Sequence, residues 1–322
     1  MNPAARIALK SLRKLYLVLN PSPLNTHRTW TLFSVKDYAS RLIAAALRAP
    51  EPLMVARFGS TEMYCLTNYL GVKNPDRYKS WRSYITRQTP AWWWEPLSTS
   101  RMCHYSGFFP EDQELIERFC ELMLVDIREI DILGSWLVAE QYFSDELKQA
   151  KRVVLEDLEP FFCERPWTHA LAGLKVLVVH PFDETIRSQY AKRSLVFPEG
   201  LLPDFELQTI RAVQSLCGEP TPFRDWFDAL DHMKNEIDRR DFDVCLIGCG
   251  AYGLPLAAHV KRMGRKAIHL AGSTQLLFGI MGGRWEEYVV YPYMNLVNEH
   301  WARPAVHERP KNASAVENAC YW

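Results

Sequence analysis

The stretch Val244-Cys245-Leu246-Ile247-Gly248-Cys249-Gly250-Ala251-Tyr252-Gly253 decides the fold class. Its first four residues are apolar and bounded by a glycine turn, which is the length and setting of a buried strand. Leu254 to Met263 follows with helical spacing, Pro255 in its first turn and Gly264 at its stop. Lys266 to Leu270 is a further apolar strand, closed by Gly272. An apolar strand, a glycine turn, a helix and a second apolar strand form the unit of a parallel sheet covered on both faces.

The same alternation runs outward along the chain. Leu174 to Val179 is the clearest buried strand, and it ends in His180-Pro181-Phe182-Asp183, where a helix begins. Leu53 to Phe58 is a shorter strand closed by Gly59. The next helix covers Ser60 to Leu70, with Ser60 or Gly59 as its cap and Gly71 as its stop. Periodicity also predicts helices over 35–48, 114–130, 138–150, 155–162, 207–216 and 226–239, and a strand over 132–137. Residues 72–112 are aromatic, polar and broken by prolines, with no clean period. The expected fold is α/β: a Rossmann-like, mostly parallel sheet with helices on both faces and a helical, aromatic insertion.

The chain has 322 residues, 48% hydrophobic and 24% charged, so it has material for a large buried core. Lys plus Arg is 38 and Asp plus Glu is 38, a formal net charge of zero. That balance argues against nucleic acid as a partner, because phosphate tracking needs excess positive charge. The eight cysteines form no CxxC pair and read as reduced, mostly buried thiols of a cytoplasmic protein. No segment reaches the roughly 18 apolar residues of a membrane span. Residues 5–19 are basic and amphipathic. They read either as a helix lying on an anionic membrane surface, peripheral at its inner face, or as a first helix docked on the core. Residues 21–30 read as a linker.

In parallel sheets, ligands bind beyond the carboxyl ends of the strands. Three strand ends stand out: Arg57 to Glu62, His180 to Glu184, and Gly248 to Gly253. Each leads into a helix N-terminus, whose free N–H groups and dipole favour an anion such as phosphate. Arg57 is suited to a diphosphate by its planar fork. Glu62 is suited to act as a base, to ligate a metal or to bind a sugar hydroxyl; its structural alternative is a first-turn acid complementing the helix dipole. His180 with Glu184 forms a second candidate cluster, with a buried, satisfied histidine as the alternative. Trp93, Trp94 and Tyr105 read as an acceptor platform, or as core. Gly248-x-Gly250-x-x-Gly253 matches the dinucleotide fingerprint, which expects an acid about 20 residues on. Ala267 to Gly272 holds none, so NAD is not expected. The two glycine readings left open are a phosphate cradle and tight strand–helix packing.

In the order of these motifs the chain resembles bacterial glycosyltransferases of the GT-D fold. The family's Arg-x-Gly-Asp-Gly-Glu run is matched by Arg57-Phe58-Gly59-Ser60-Thr61-Glu62. Its late strand, glycine turn, helix and strand are matched by Cys245 to Gly253 and Ala267 to Gly272. Its middle block is matched by Val176 to Ile186. The resemblance implies a glycosyltransferase acting in surface or capsular polysaccharide synthesis, with a nucleoside-diphosphate sugar, a UDP-sugar, as donor and a glycan or lipid-linked glycan as acceptor. It makes 31–300 the catalytic domain; the residues themselves make 1–30 an N-terminal helix and linker and 301–322, with its aromatic end, a docked tail. It places Arg57, Gly59, Ser60, Gly248, Gly250, Tyr252, Gly253 and Gly272 around the donor, with Glu62 beside the reacting sugar. The family's Asp-x-Glu pair lacks its Asp, because Ser60 stands there. Glu62 is thus the remaining oxygen ligand of that pair for Mn²⁺ or Mg²⁺. The alternatives are an NAD(P)-dependent oxidoreductase and a non-catalytic binding subunit on the same fold.

Overall fold

A computed structural model of the chain describes residues 2–20, 35–286, 293–315 and 319–322. The linker expected at 21–30 lies outside the described residues. The strands are β1 (Leu53–Arg57), β2 (Ile132–Ser135), β3 (Lys151–Val154), β4 (Lys175–His180), β5 (Glu206–Arg211), β6 (Val244–Ile247) and β7 (Lys266–His269). They form a 7-stranded sheet in the order β3-β2-β1-β7-β6-β4-β5. Every pairing within it is parallel. The fold is α/β and Rossmann-like.

Successive side chains of a strand point to opposite faces, and both faces are buried here. Met54, Ala56, Leu177, Val179, Cys245 and Ile247 pack on one side. Helices α3 (Ser60–Lys73), α5 (Gln113–Asp126), α7 (Trp226–Asp238) and α8 (Gly253–Arg262) cover that side with Leu66, Phe119, Leu230 and Leu256. Leu53, Val55, Val176, Val178, Leu246 and Ile268 pack on the other. Helices α2 (Lys36–Arg48) and α6 (Asp183–Ala191) cover it with Ile43, Leu47 and Ile186. This double burial explains why the interior strands read as unbroken apolar runs. Asp112 and Asp225 cap α5 and α7, accepting from the N–H of Leu115 and Asp228 at 2.9 Å.

Both edge strands correct the helical expectations around them. Leu207 to Leu216, expected as a helix, overlaps β5 as far as Arg211. Between the helices expected over 138–150 and 155–162 runs β3, flanked by short 3₁₀ turns at Val138–Phe143 and Leu155–Leu158. An edge strand has one neighbour and keeps exposed positions, so it lacks the continuous apolar run. In β3 only Val153 and Val154 are buried, and in β5 only Ile210.

The insertion contributes α4 (Pro96–Ser106) and a short helix, Trp81–Ile85. The N-terminal helix α1 (Pro3–Leu19) lies on the latter. There Leu9 is buried with Tyr84, Trp92 and Trp93. Residues 319–322 pack against the domain, with the Trp322 ring edge-on to Phe182 at 6.1 Å. Among the described residues no helix is long and apolar enough to cross a membrane.

Candidate functional site

A parallel sheet gathers all its carboxyl ends on one edge, and the site is built there. β1 delivers Arg57. Phe58 and Gly59 then turn the chain into α3, whose N-cap, Gly59, has no side chain to satisfy the first-turn N–H groups. Arg57 is half-buried and its guanidinium lies 5.1 Å from the centre of the Trp136 ring. Trp136 follows β2 and donates its indole N–H to the Phe58 carbonyl at 3.0 Å. One tryptophan thus fixes the turn and supports the cation. The Arg57 Nε is buried without a hydrogen-bond partner. Burial lowers the Arg57 pKa, while Tyr321 and Glu62 favour its charge. A guanidinium remains protonated at neutral pH even so.

Glu62, in the first turn of α3, folds back onto Gly59. A Cβ at Gly59 would lie 1.8 Å from Glu62 Oε2. The glycine therefore makes room for the carboxylate.

β7 ends in His269, which is 3% exposed. Its Nδ1 is 3.2 Å from the Ile247 carbonyl. That contact assigns the proton to Nδ1 and leaves Nε2 as the acceptor. Burial, reinforced by the charge of Arg57, pushes its pKa down to about 4, so the ring is neutral at pH 7. The far wall is formed by Arg284 and Tyr321, the guanidinium 4.5 Å from the ring centre. These groups, with Ser60, Tyr105, Gly250 and Ala251, enclose a cavity of about 140 Å³. A wider hollow of about 750 Å³ shares Tyr105 and is lined by Arg101, His104, Phe109 and Thr221.

The structure thus brings Arg57, Gly59, Ser60, Glu62, Gly250 and Tyr105 together, as read from the sequence. It sets the other expected residues elsewhere. His180 is buried behind Gly248, with Nδ1 accepting the N–H of Phe182 at 3.0 Å and its pKa pushed down to about 3 by burial. Glu184 points outward and pairs with His307 at 2.9 Å. Gly248 and Gly253 serve close packing. A Cβ at Gly248 would meet the Ala271 carbonyl at 2.5 Å, and one at Gly253 would meet His269 Cε1 at 2.1 Å. Gly272 is covered by the Tyr321 ring in the same way. Tyr252 turns into the core and stacks on Trp226 at 4.9 Å. Trp93 packs on Tyr84 at 4.9 Å, and Trp94 donates to Glu117 at 3.1 Å. Both tryptophans belong to packing, not to the cavity.

Among the cavity residues that sequence reasoning missed are Trp136, His269, Arg284 and Tyr321. One of them was within reach of the strand-end rule, since His269 lies at the end of β7, whereas Trp136 fell inside the strand expected over 132–137 and follows the observed β2. Arg284 and Tyr321 have no local signal, because only long-range packing brings them here.

The arrangement offers a cation with an unsatisfied N–H, a helix N-terminus, one carboxylate and one neutral imidazole. Such a set suits a phosphorylated ligand beside a reacting hydroxyl. Among the described residues no group of three His, Cys, Asp or Glu is placed to hold a metal ion. Compared with family models, curated proteins and solved structures, the chain gives no match.

Proposed function

We propose that the chain is a glycosyltransferase that moves a sugar from a nucleoside-diphosphate sugar, a UDP-sugar, to a glycan acceptor. The observation that carries this reading is Arg57. Arg57, whose Nε is buried without a hydrogen-bond partner, precedes a helix N-terminus and lines the same cavity as Glu62. An orphaned buried N–H is costly, and a phosphoryl oxygen would satisfy it. The motif resemblance adds the sugar-nucleotide class.

In this reading the diphosphate sits against Arg57 and the first turn of α3. The acceptor hydroxyl oxygen bonds to the anomeric carbon while the bond from that carbon to the diphosphate oxygen breaks. The diphosphate leaves with the electron pair, and Arg57 offsets its charge. Glu62 takes the hydroxyl proton. A cavity of about 140 Å³ is small for a whole sugar nucleotide, so the wider hollow beyond Tyr105 holds the remainder and the acceptor. If Mn²⁺ or Mg²⁺ is used, Glu62 would hold it, and the ion would supply charge stabilisation to the departing diphosphate. The reaction belongs to surface or capsular polysaccharide synthesis in the cytoplasm, at the inner face of the membrane, on a glycan or lipid-linked glycan. The dinucleotide alternative has less support, because Gly248 and Gly253 are filled by packing.

The test is calorimetric titration with a nucleoside-diphosphate and sugar-nucleotide panel, with and without Mn²⁺, followed by a transfer assay. Binding that weakens in Arg57→Met supports the reading. No binding of any nucleoside diphosphate under either condition overturns it. Binding with no transfer to any acceptor favours the binding-subunit alternative.

A further inference from the structure

Helix α1 is apolar on both sides. Its inner side buries Leu9 against Tyr84, Trp92 and Trp93. Arg13 lies 4.5 Å over the Tyr84 ring, and Lys10 pairs with Glu95. So the helix is docked. Yet Ile7, Leu12, Leu15, Val18 and Leu19 on its outer side are between 48% and 70% exposed. At 3.6 residues per turn these five fall in one arc, with Lys10 and Lys14 along its border. An exposed apolar arc of this length on a soluble domain marks a contact surface.

Charge identifies the partner. α1 carries Arg6, Lys10, Arg13 and Lys14 and no acid. The neighbouring segment adds Arg77, Lys79, Arg82 and Arg87 against Asp76. In a chain of zero net charge this is a strong local excess of cations. Trp81, which opens the short helix that α1 packs on, is 63% exposed. Tryptophan is favoured where apolar and aqueous phases meet. Under α1 lies a cavity of about 500 Å³ lined by Lys10, Arg13, Lys14 and Arg87. The single acid lining it, Glu95, is the partner of Lys10.

We infer that α1 docks the protein on an anionic phospholipid bilayer. The arc from Ile7 to Leu19 enters the headgroup–acyl boundary, and Lys14 at its border, with the exposed cations of the neighbouring segment, meets the lipid phosphates. A second copy of the chain would bury the apolar arc equally well, but it would bring the same cations face to face. An anionic surface neutralises them. Helix α3 links the two sites: its first turn supplies Ser60 and Glu62 to the candidate catalytic cavity, and Tyr64 and Thr67 line the cavity under α1. The inference stands on α1 and its surroundings and does not depend on the transferase reading.

The experiment is co-sedimentation of the full chain with vesicles of phosphatidylcholine, alone or with about one third phosphatidylglycerol, at ~0.1 M salt. The expected result is binding to the anionic vesicles, at least about tenfold tighter than to neutral ones, and weakened by added salt. The double variant L15E/V18E loses this binding by at least about tenfold. It keeps its far-ultraviolet circular dichroism and its thermal midpoint, because both side chains are exposed. Failure of the parent chain to bind anionic vesicles overturns the inference. So does equal binding to neutral vesicles. A parent dimer by light scattering that L15E/V18E converts to monomer assigns the face to a second copy and overturns it as well.

Discussion

The carboxylate of Glu62 occupies the space that a side chain on Gly59 would need. A Cβ there would lie 1.8 Å from Oε2 and 2.7 Å from Cδ. Gly59 has φ −77°, a backbone that alanine adopts without strain. Gly59→Ala therefore forces a flexible carboxylate to move and leaves the fold alone. Its thermal midpoint should stay within a few degrees of the parent. Transfer activity should fall by about tenfold or more if Glu62 is the base. A midpoint loss matching the activity loss would assign the effect to folding.

Arg57→Met separates function from stability. The substitution removes the Trp136 cation–π contact, worth about 1 kcal/mol. It also removes a buried donor that has no partner, which offsets that loss. Unfolding in denaturant should shift by no more than about 1 kcal/mol. Affinity for a nucleoside diphosphate should fall by about a hundredfold. Unchanged affinity by calorimetry would remove Arg57 from the site.

Acidification should destabilise the protein through its two buried histidines. Their pKa values are pushed down to about 4 in His269 and about 3 in His180, from an ordinary 6.5. Below that value the unfolded chain binds protons that the folded chain refuses, so stability falls as pH falls. Asp126 acts in the opposite sense, since burial raises its pKa to about 6 and the folded state is protonated first. Burial also raises Glu159. Together the two histidine shifts exceed that of Asp126. The thermal midpoint should be flat above about pH 7 and fall below about pH 6. His180→Asn keeps an acceptor for the Phe182 N–H and removes one titration, so it should flatten the profile. An unchanged profile would count against the assignment.

Gly253→Ala should destabilise strongly. The new Cβ would lie 2.1 Å and 2.4 Å from His269 Cε1 and Nδ1, and that ring is buried and held by the Ile247 carbonyl. Overpacking of this kind costs about 1–3 kcal/mol. Equilibrium denaturation reads the loss directly.

Tyr252→Phe should be nearly silent in function. Its hydroxyl contacts Ser215 Oγ at 3.2 Å, and its ring stacks on Trp226 with an interplanar angle of 6°. The variant keeps the stack and loses one hydrogen bond, worth about 1 kcal/mol. A large drop in nucleotide affinity would return Tyr252 to the donor site.

Interior strands were legible because burial on both faces forces an apolar residue at nearly every position, as in Val176 to Val179. β3 and β5 were not, because an edge strand keeps polar residues such as Lys151 and Gln208. Arg57 and Glu62 were legible because they bracket a glycine at the end of a strand. His180 satisfied the same local rule, yet its ring points inward behind Gly248. Local pattern does not carry side-chain direction at a strand end. The Trp93 and Trp94 run has an aromatic composition that fits a sugar platform and a hydrophobic core equally. Its partners Leu9 and Glu117 come from distant segments that composition does not reveal.

The placement of β7 between β1 and β6 has a consequence for how the molecule comes into being. Without β7 the pairings would leave two groups of strands, β3-β2-β1 and β6-β4-β5, with the edges of β1 and β6 unpaired. Arg57 and Glu62 are synthesised with the first group, whereas His269, Arg284 and Tyr321 arrive last. The candidate cavity is thus complete only once these carboxyl-terminal residues are in place. The bare edges of β1 and β6 are the surfaces by which an unfinished chain would aggregate.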